Sequence, residues 1–207
     1  MSSVTWIRLA GGLRLAVAPE TSVTGAVPVD TRVARDIPSW QVPEHLAART
    51  LLRGLLAEYL GADAATIPIA RQPGGRPYLP DRPHLGISLS HAGGQVAAAV
   101  GVGSGIGIDV QPPVPAPPAL LRRCCTPPAR AELAAMAENE RRLEFAWIWT
   151  VQEACVKATG AGLSGRPWTI PVRPGQREGE WRGVRWRSLR ATSTVPLSLA
   201  YTGRSPC

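Results

Sequence analysis

Five prolines fall inside one short stretch, QPPVPAPPAL, residues 111 to 120. Proline fixes φ, carries no N–H and clashes with the helical turn before it. Neither a helix interior nor a central strand can run through this stretch, so regular structure must lie on either side of it. Before it, Leu13, Leu15 and Val17 alternate with Arg14 and Ala16 and predict an early strand. VPEHLAARTLLRGLLAEYLGAD predicts a helix, with Pro43 near its start, Gly61 at its end and Leu51, Leu52, Leu55, Leu56, Tyr59 and Leu60 on its apolar face. RQPGGRPYLP reads as a turn and an extended piece, GISLSHAGGQVAAAVG as strand, glycine turn and strand, and SGIGIDV as a third short strand. After the prolines, 127–138 and 139–160 read as helices, the second stopped by Gly160 or Gly162. GVRWRSLRATSTVPLSLAYTG then closes the chain as a hairpin. Helix followed by strand pair thus occurs once in each half, without sequence repetition. The expectation is an α+β fold of two similar lobes, each a small antiparallel sheet packed on a long helix and related by pseudo-twofold symmetry, with lobes at 1–108 and 109–207.

A chain of 207 residues, 44% of them hydrophobic, can bury a sizeable core. The formal net charge is +8, a field that favours acidic partners in general. Basic residues never run longer than the pairs Arg122-Arg123 and Arg141-Arg142, which argues against a nucleic-acid arm. WRGVRWRSLR interleaves arginine and tryptophan, but in a strand Arg185 and Arg187 share one face and Trp186 and Ser188 the other, so an ordinary strand explains it. The four cysteines, Cys124, Cys125, Cys155 and Cys207, form no C-x-x-C pair and read as reduced thiols of a cytoplasmic protein. Arg8 and Arg14 interrupt the apolar N-terminus, so no signal-peptide core forms, and no apolar run is long enough to span a membrane.

Several common motifs fail. GVGSGIGID places Ile106 where a dinucleotide fingerprint needs its third glycine, and prolines follow instead of a helix. PGGRP lacks the G-K-[ST] end of a P-loop. Ser90-His91 lacks the G-x-S-x-G setting of a hydrolase elbow.

Two features carry chemistry. Asp109 ends the otherwise apolar strand IGIDV, at a sheet rim; by itself it reads as a turn aspartate. Phe145, Trp149, Glu153 and Lys157 recur every four residues and form one helix ridge. The two aromatics must pack inward, which draws Glu153 and Lys157 towards the same rim; the pair reads equally as an i,i+4 surface ion pair. Lys157 is also the only lysine, against 22 arginines.

Taken together, GGRPYL, ISLSHAGG, GIGIDVQ and FAWIWTVQEACVKATGAGL, in this order and spacing, resemble the phosphopantetheinyl transferases of the single-chain, two-lobed Sfp type. The family patterns are G-K-P-x-[LI], [FI]-[NS]-[LI]-S-H-[ST], G-[IV]-D-[IV]-[EQ] and W-x-x-K-E-A-x-x-K-x-x-G-x-G-L. The resemblance runs from Arg49 to about Leu163. It implies Mg²⁺-dependent transfer of 4′-phosphopantetheine from coenzyme A to a serine of an apo acyl or peptidyl carrier protein, for polyketide or nonribosomal peptide synthesis. The enzyme would be a cytoplasmic monomer, with no nucleic-acid or membrane partner. The alternative is a weakened relative that only binds coenzyme A or carrier; a basic nucleic-acid module stands behind both.

Carried over residue by residue, the resemblance makes Asp109 and Glu153 the Mg²⁺ ligands, with Gln111 reaching the metal through a water. Glu153 is also the base for the serine hydroxyl, and Lys157 lies beside the transferring phosphate. Arg49, Arg76, Ser90 and His91 fall at positions that contact coenzyme A. The first lobe would then hold the nucleotide, and the second the metal, the catalytic helix and the carrier, the last through RRCCTPPARAEL. Four departures stand out: Gln152 for the usual lysine before the glutamate, Gln111 where many relatives have a third acid, Ala92 for Ser or Thr, and Arg76 for lysine.

Overall fold

Two antiparallel sheets meet along one edge, each carrying a long helix. The computed structural model describes residues 4–61, 63–103 and 105–203. Its strands are β1 (Thr5–Arg8), β2 (Arg14–Pro19), β3 (Ala70–Arg71), β4 (Pro77–Tyr78), β5 (Leu85–Ala92), β6 (Gln95–Val102), β7 (Ile106–Val110), β8 (Glu178–Trp181), β9 (Val184–Ser188) and β10 (Leu197–Thr202). Its helices are α1 (Pro28–Val33), α2 (Val42–Leu60), α3 (Pro118–Cys124), α4 (Pro127–Ala134) and α5 (Glu138–Thr159). The α+β expectation holds.

The sheets run β1-β2-β6-β5 and β7-β10-β9-β8, with β3 and β4 forming a separate small hairpin. In both halves a strand is followed by a long helix and a hairpin whose second strand pairs with the first: β2 with β6, and β7 with β10. The chain changes sheet between Val102 and Ile106, so β7 stands whole in the second sheet, across the 108/109 line. Strands β1 and β8 and helices α1 and α3 extend the expected set. Helix α3 begins at the last proline of the 111–120 stretch, Pro118, in a first-turn position where a missing N–H costs nothing.

Both long helices end as their glycines predict. Gly61 adopts φ 62° and donates to Ala57 O at 2.9 Å. Gly160 adopts φ 72°, so it, rather than Gly162, stops α5. Leu51, Leu52, Leu55 and Leu56 of α2 pack on Ile87, Val96, Ala98 and Val100. Ile148, Val151 and Cys155 of α5 pack on Val184, Trp186 and Ala200. A third apolar layer lies between the sheets, where Leu15, Val17, Ala97 and Ala99 meet Ile108, Leu197 and Leu199. Strand β6 is therefore buried on both faces, which explains its unbroken apolar run.

Candidate active site

The site is built on the line where the sheets meet. Strand β5 is the last strand of one sheet and β7 the first of the other. They are joined by side chains. Ser88 Oγ accepts the Ile108 N–H at 3.0 Å and Ser90 Oγ accepts the Val110 N–H at 3.2 Å. The constant offset of 20 residues shows that the two strands run parallel. Serines two apart in a strand share a face, so both hydroxyls reach the neighbouring edge and satisfy amides that would otherwise lack partners.

Asp109 sits on this line and is 6% exposed. Its Oδ1 accepts from Ser90 Oγ at 2.8 Å and from Lys157 Nζ at 2.7 Å. Lys157 also donates to Ile108 O at 3.1 Å and to Leu89 O at 3.3 Å, one carbonyl from each edge strand. Helix α5 thus inserts one ammonium between the sheets.

Glu153 lies one turn before Lys157 and is half-buried. Its Oε1 is buried and has no hydrogen-bond partner among the described residues. Burial pushes the Glu153 carboxyl above its ordinary range, the charge of Asp109 adds to the rise, and Lys157 opposes it. Two mutually repelling carboxylates, one with an orphaned oxygen, form an arrangement that a cation relieves. Among the described residues no group of three or more His, Cys, Asp and Glu gathers at one point. The protein thus offers two carboxylates, a number that suits Mg²⁺ when phosphate and water complete the shell.

Arg76 belongs to the same region. Its guanidinium lies against Gly160, at the end of α5. Its Nη2 is buried without a partner among the described residues, and burial lowers the pKa of the guanidinium. Arg76 and Lys157 together line a cleft of about 190 Å³ that also includes Gly74, Gly75 and Gly160. A buried donor with nothing to bond, beside a second cation, suits an anion.

Of the remaining positions, Arg49 and Ser90 are buried, whereas His91 and Gln111 are half-buried. Arg49 is 1% exposed, and its guanidinium is spent on Asp30, with Nε at 2.7 Å and Nη2 at 2.6 Å from Oδ1. It is neither a solvated helix residue nor open to a ligand. Ser90, 5% exposed, is likewise committed, to Asp109 and Val110, and is withdrawn from ligand contact. His91 is more open; its Nδ1 lies 3.1 Å from Glu44 Oε2, and Glu44 Oε1 accepts the Gly94 N–H at 2.6 Å. Gln111 turns its amide to Pro112 O at 3.1 Å and borders a hollow with Phe145 and Trp149.

Two residues acquire roles that sequence reasoning missed. Gln152 is fully buried, and its Nε2 donates to Cys124 O at 2.8 Å and Ile170 O at 2.9 Å. A neutral amide makes both bonds without burying a charge, so the departure from lysine is structural here. His45, 6% exposed, lies edge-on to His91 with ring centroids 6.1 Å apart. Its Nε2 is 3.2 Å from Arg71 Nη2, and burial first, then Arg71 and Arg49, lower its pKa to about 4. Cys124, Cys125 and Cys155 are free and buried, and burial raises all three thiols, Cys125 and Cys155 to about 12. The cysteine pair in RRCCTPPARAEL therefore belongs to the core, while Arg123 beside it stacks over the Trp168 ring at 3.8 Å. Cys207 lies outside the described residues. No described helix is long and apolar enough to cross a membrane.

Comparison with known proteins bears on this region. Residues 105–185 match the family described as the 4′-phosphopantetheinyl transferase superfamily. Over 114 residues the chain is 31% identical to a 4′-phosphopantetheinyl transferase of Bacillus subtilis, covering 55% of this chain and 50% of that protein. Over 131 residues it is 31% identical to the 4′-phosphopantetheinyl transferase HetI of Nostoc sp., covering 59% and 55%. The chain spans about half the length of the curated relatives it matches.

Proposed function

We infer that this chain, whose residues 105–185 match the 4′-phosphopantetheinyl transferase superfamily, moves the phosphopantetheine arm of coenzyme A onto a serine of an apo carrier protein. The observation that carries the reading is that Asp109, Lys157 and Glu153 lie close enough to interact, with a Glu153 oxygen left without a partner among the described residues and with Arg76 and Lys157 walling one cleft. The resemblance to the Sfp type supplies the finer reading: a cytoplasmic monomer acting on acidic acyl or peptidyl carriers of polyketide or nonribosomal peptide synthesis.

In this reading Asp109 and Glu153 hold Mg²⁺, with Gln111 reaching it through a water. Bound there, the metal would neutralise charge on the pyrophosphate of coenzyme A. Arg76 binds pyrophosphate oxygens, Lys157 stands beside the transferring phosphate, and His91 faces the nucleotide end. The carrier serine oxygen attacks the phosphorus that bears pantetheine. A serine O–P bond forms, and the P–O bond to adenosine 3′,5′-bisphosphate breaks. Glu153 accepts the serine proton. The carrier docks over α3 and α4, where Arg122, Arg123 and Arg130 supply positive charge suited to an acidic partner.

The test is direct. The purified chain is incubated with Mg²⁺, coenzyme A and each of several apo carriers, and the carriers are weighed. A gain of one phosphopantetheine is expected, and it should vanish in Asp109→Ala and Glu153→Ala while both variants stay folded. No gain on any carrier overturns the reading.

A further inference from the structure

Ser90 is one of the least accessible polar residues of the site, and its hydroxyl is fully used. It donates to Asp109 Oδ1 at 2.8 Å and accepts the Val110 N–H at 3.2 Å. The same hydroxyl therefore fixes the backbone that carries Asp109 and the carboxylate of Asp109 itself. Lys157 donates to that same oxygen at 2.7 Å. Oδ1 thus holds two donors, while Oδ2 holds none among the described residues. A carboxylate pinned through one oxygen by two donors presents the other in a fixed direction.

Ser88 provides an internal comparison. It sits two residues earlier on the same strand and makes the same kind of bond, its Oγ accepting the Ile108 N–H at 3.0 Å. Among the described residues it hydrogen-bonds to no carboxylate. Joining the sheets and orienting Asp109 are therefore separable: both serines join, and only Ser90 orients.

We propose that Ser90 is a positioning residue for Asp109, selecting Oδ2 as the oxygen offered to the divalent cation, and is not a contact for coenzyme A. The inference rests on the transferase reading for the identity of the cation site. Groups that orient a ligating side chain cost about 10- to 100-fold in metal affinity when removed.

The test uses the full chain with coenzyme A present and follows bound Mn²⁺ by electron paramagnetic resonance. Ser90→Ala and the near-isosteric Ser90→Cys should each weaken Mn²⁺ binding by about 10- to 100-fold. Ser88→Ala should lower the urea midpoint as the Ser90 variants do, yet keep Mn²⁺ affinity near wild type. Coenzyme A affinity measured with EDTA should be the same in wild type and the Ser90 variants. Four results overturn the proposal: no Mn²⁺ bound by wild type, wild-type Mn²⁺ affinity in both Ser90 variants, an equal loss in Ser88→Ala, or weakened metal-free coenzyme A binding in the Ser90 variants. A wild-type chain that binds Mn²⁺ but modifies no carrier overturns the transferase reading instead, and the Ser90 comparison can still be read.

Discussion

The lone lysine shows what a residue's sequence context can and cannot reveal. Its spacing from Glu153, and the rarity of lysine in an arginine-rich chain, single it out by sequence alone. Its partners are another matter. One helical turn between Glu153 and Lys157 suggests an ammonium shared by that carboxylate and a phosphate, but the ammonium instead points to Leu89 O, Ile108 O and Asp109 Oδ1. Two of these three acceptors are backbone carbonyls, which every residue possesses, so nothing in the sequence singles them out. Arg49 hides for a related reason: a charge reads the same whether solvated or buried against an aspartate 19 residues away. The geometry nevertheless strengthens the case for an ammonium. Its three rotatable N–H bonds can converge on acceptors from two strands and a side chain, whereas a guanidinium offers a flat, rigid fork. Lys157→Arg should therefore keep the fold and still bind coenzyme A, but transfer roughly 10²-fold more slowly, the scale of one misplaced transition-state donor. Single-turnover transfer to a saturating apo carrier measures this, and a wild-type rate would mean that charge alone suffices at this position.

At the scale of elements, strands β5, β6 and β7 and helices α2 and α5 are legible, because period and glycine stops mark them locally. Strand β1, with its short TWIR, and the two-turn helices α1 and α3 carry too few residues for a period to show. The contact between α5 and β7 is legible only as an unexplained glycine in GVGSGIGID, a stretch that fails as a dinucleotide loop. The structure supplies the reason. A Cβ on Gly107 would stand 2.0 Å from Ala154 O and 2.5 Å from Ala158 N, both backbone atoms of α5. The strand bearing Asp109 and the helix bearing Glu153 and Lys157 approach so closely that only hydrogen fits between them. Gly107→Ala must push α5 outward, at a cost of about 1–3 kcal/mol or more. Because the shift falls between the groups proposed to carry out transfer, transfer should drop further than stability alone explains. Gly54→Ala is the matching control. Its nearest foreign atom, on Trp6, lies 3.5 Å from the added Cβ, and alanine favours a helix over glycine by up to about 1 kcal/mol. Urea unfolding of both variants decides the matter: equal stability of Gly107→Ala and wild type would show that α5 has room to move.

For the molecule as a whole, the half-and-half arrangement is legible from element order, while the joining of the sheets through Ser88, Ser90 and Lys157 is not, since pairing between distant segments leaves no local pattern. The net charge of +8 is legible too, but its distribution inside the first half is hidden. There Asp30 is fully buried between Arg49 and Arg53, and Arg53 also donates to Ile67 O at 3.1 Å. Burial alone would raise the Asp30 carboxyl, but the bonds from Arg53 and Arg49 outweigh it and leave its pKa lowered. Beside this group His45 is held neutral, with Arg71, Arg49, His91 and Asp30 as its charged or titratable surroundings. The two depressed pKa values make the fold sensitive to acid in successive windows. In the unfolded chain His45 takes up a proton as pH falls below about 6.5. In the folded chain it resists until about 4. Between those values the unfolded state binds more protons, so stability is lost as pH falls, by up to ~3 kcal/mol across the whole interval. Asp30 adds its loss lower down, as pH drops below 3.8 towards its depressed folded value. His45→Gln keeps an acceptor for Arg71 but cannot titrate. Its stability deficit relative to wild type at pH 7 should therefore shrink, or reverse, by about 2 kcal/mol on moving to pH 4.5. Urea midpoints collected in half-unit steps between these values measure the difference, and two parallel curves would show that His45 exchanges its proton as freely in the fold as out of it.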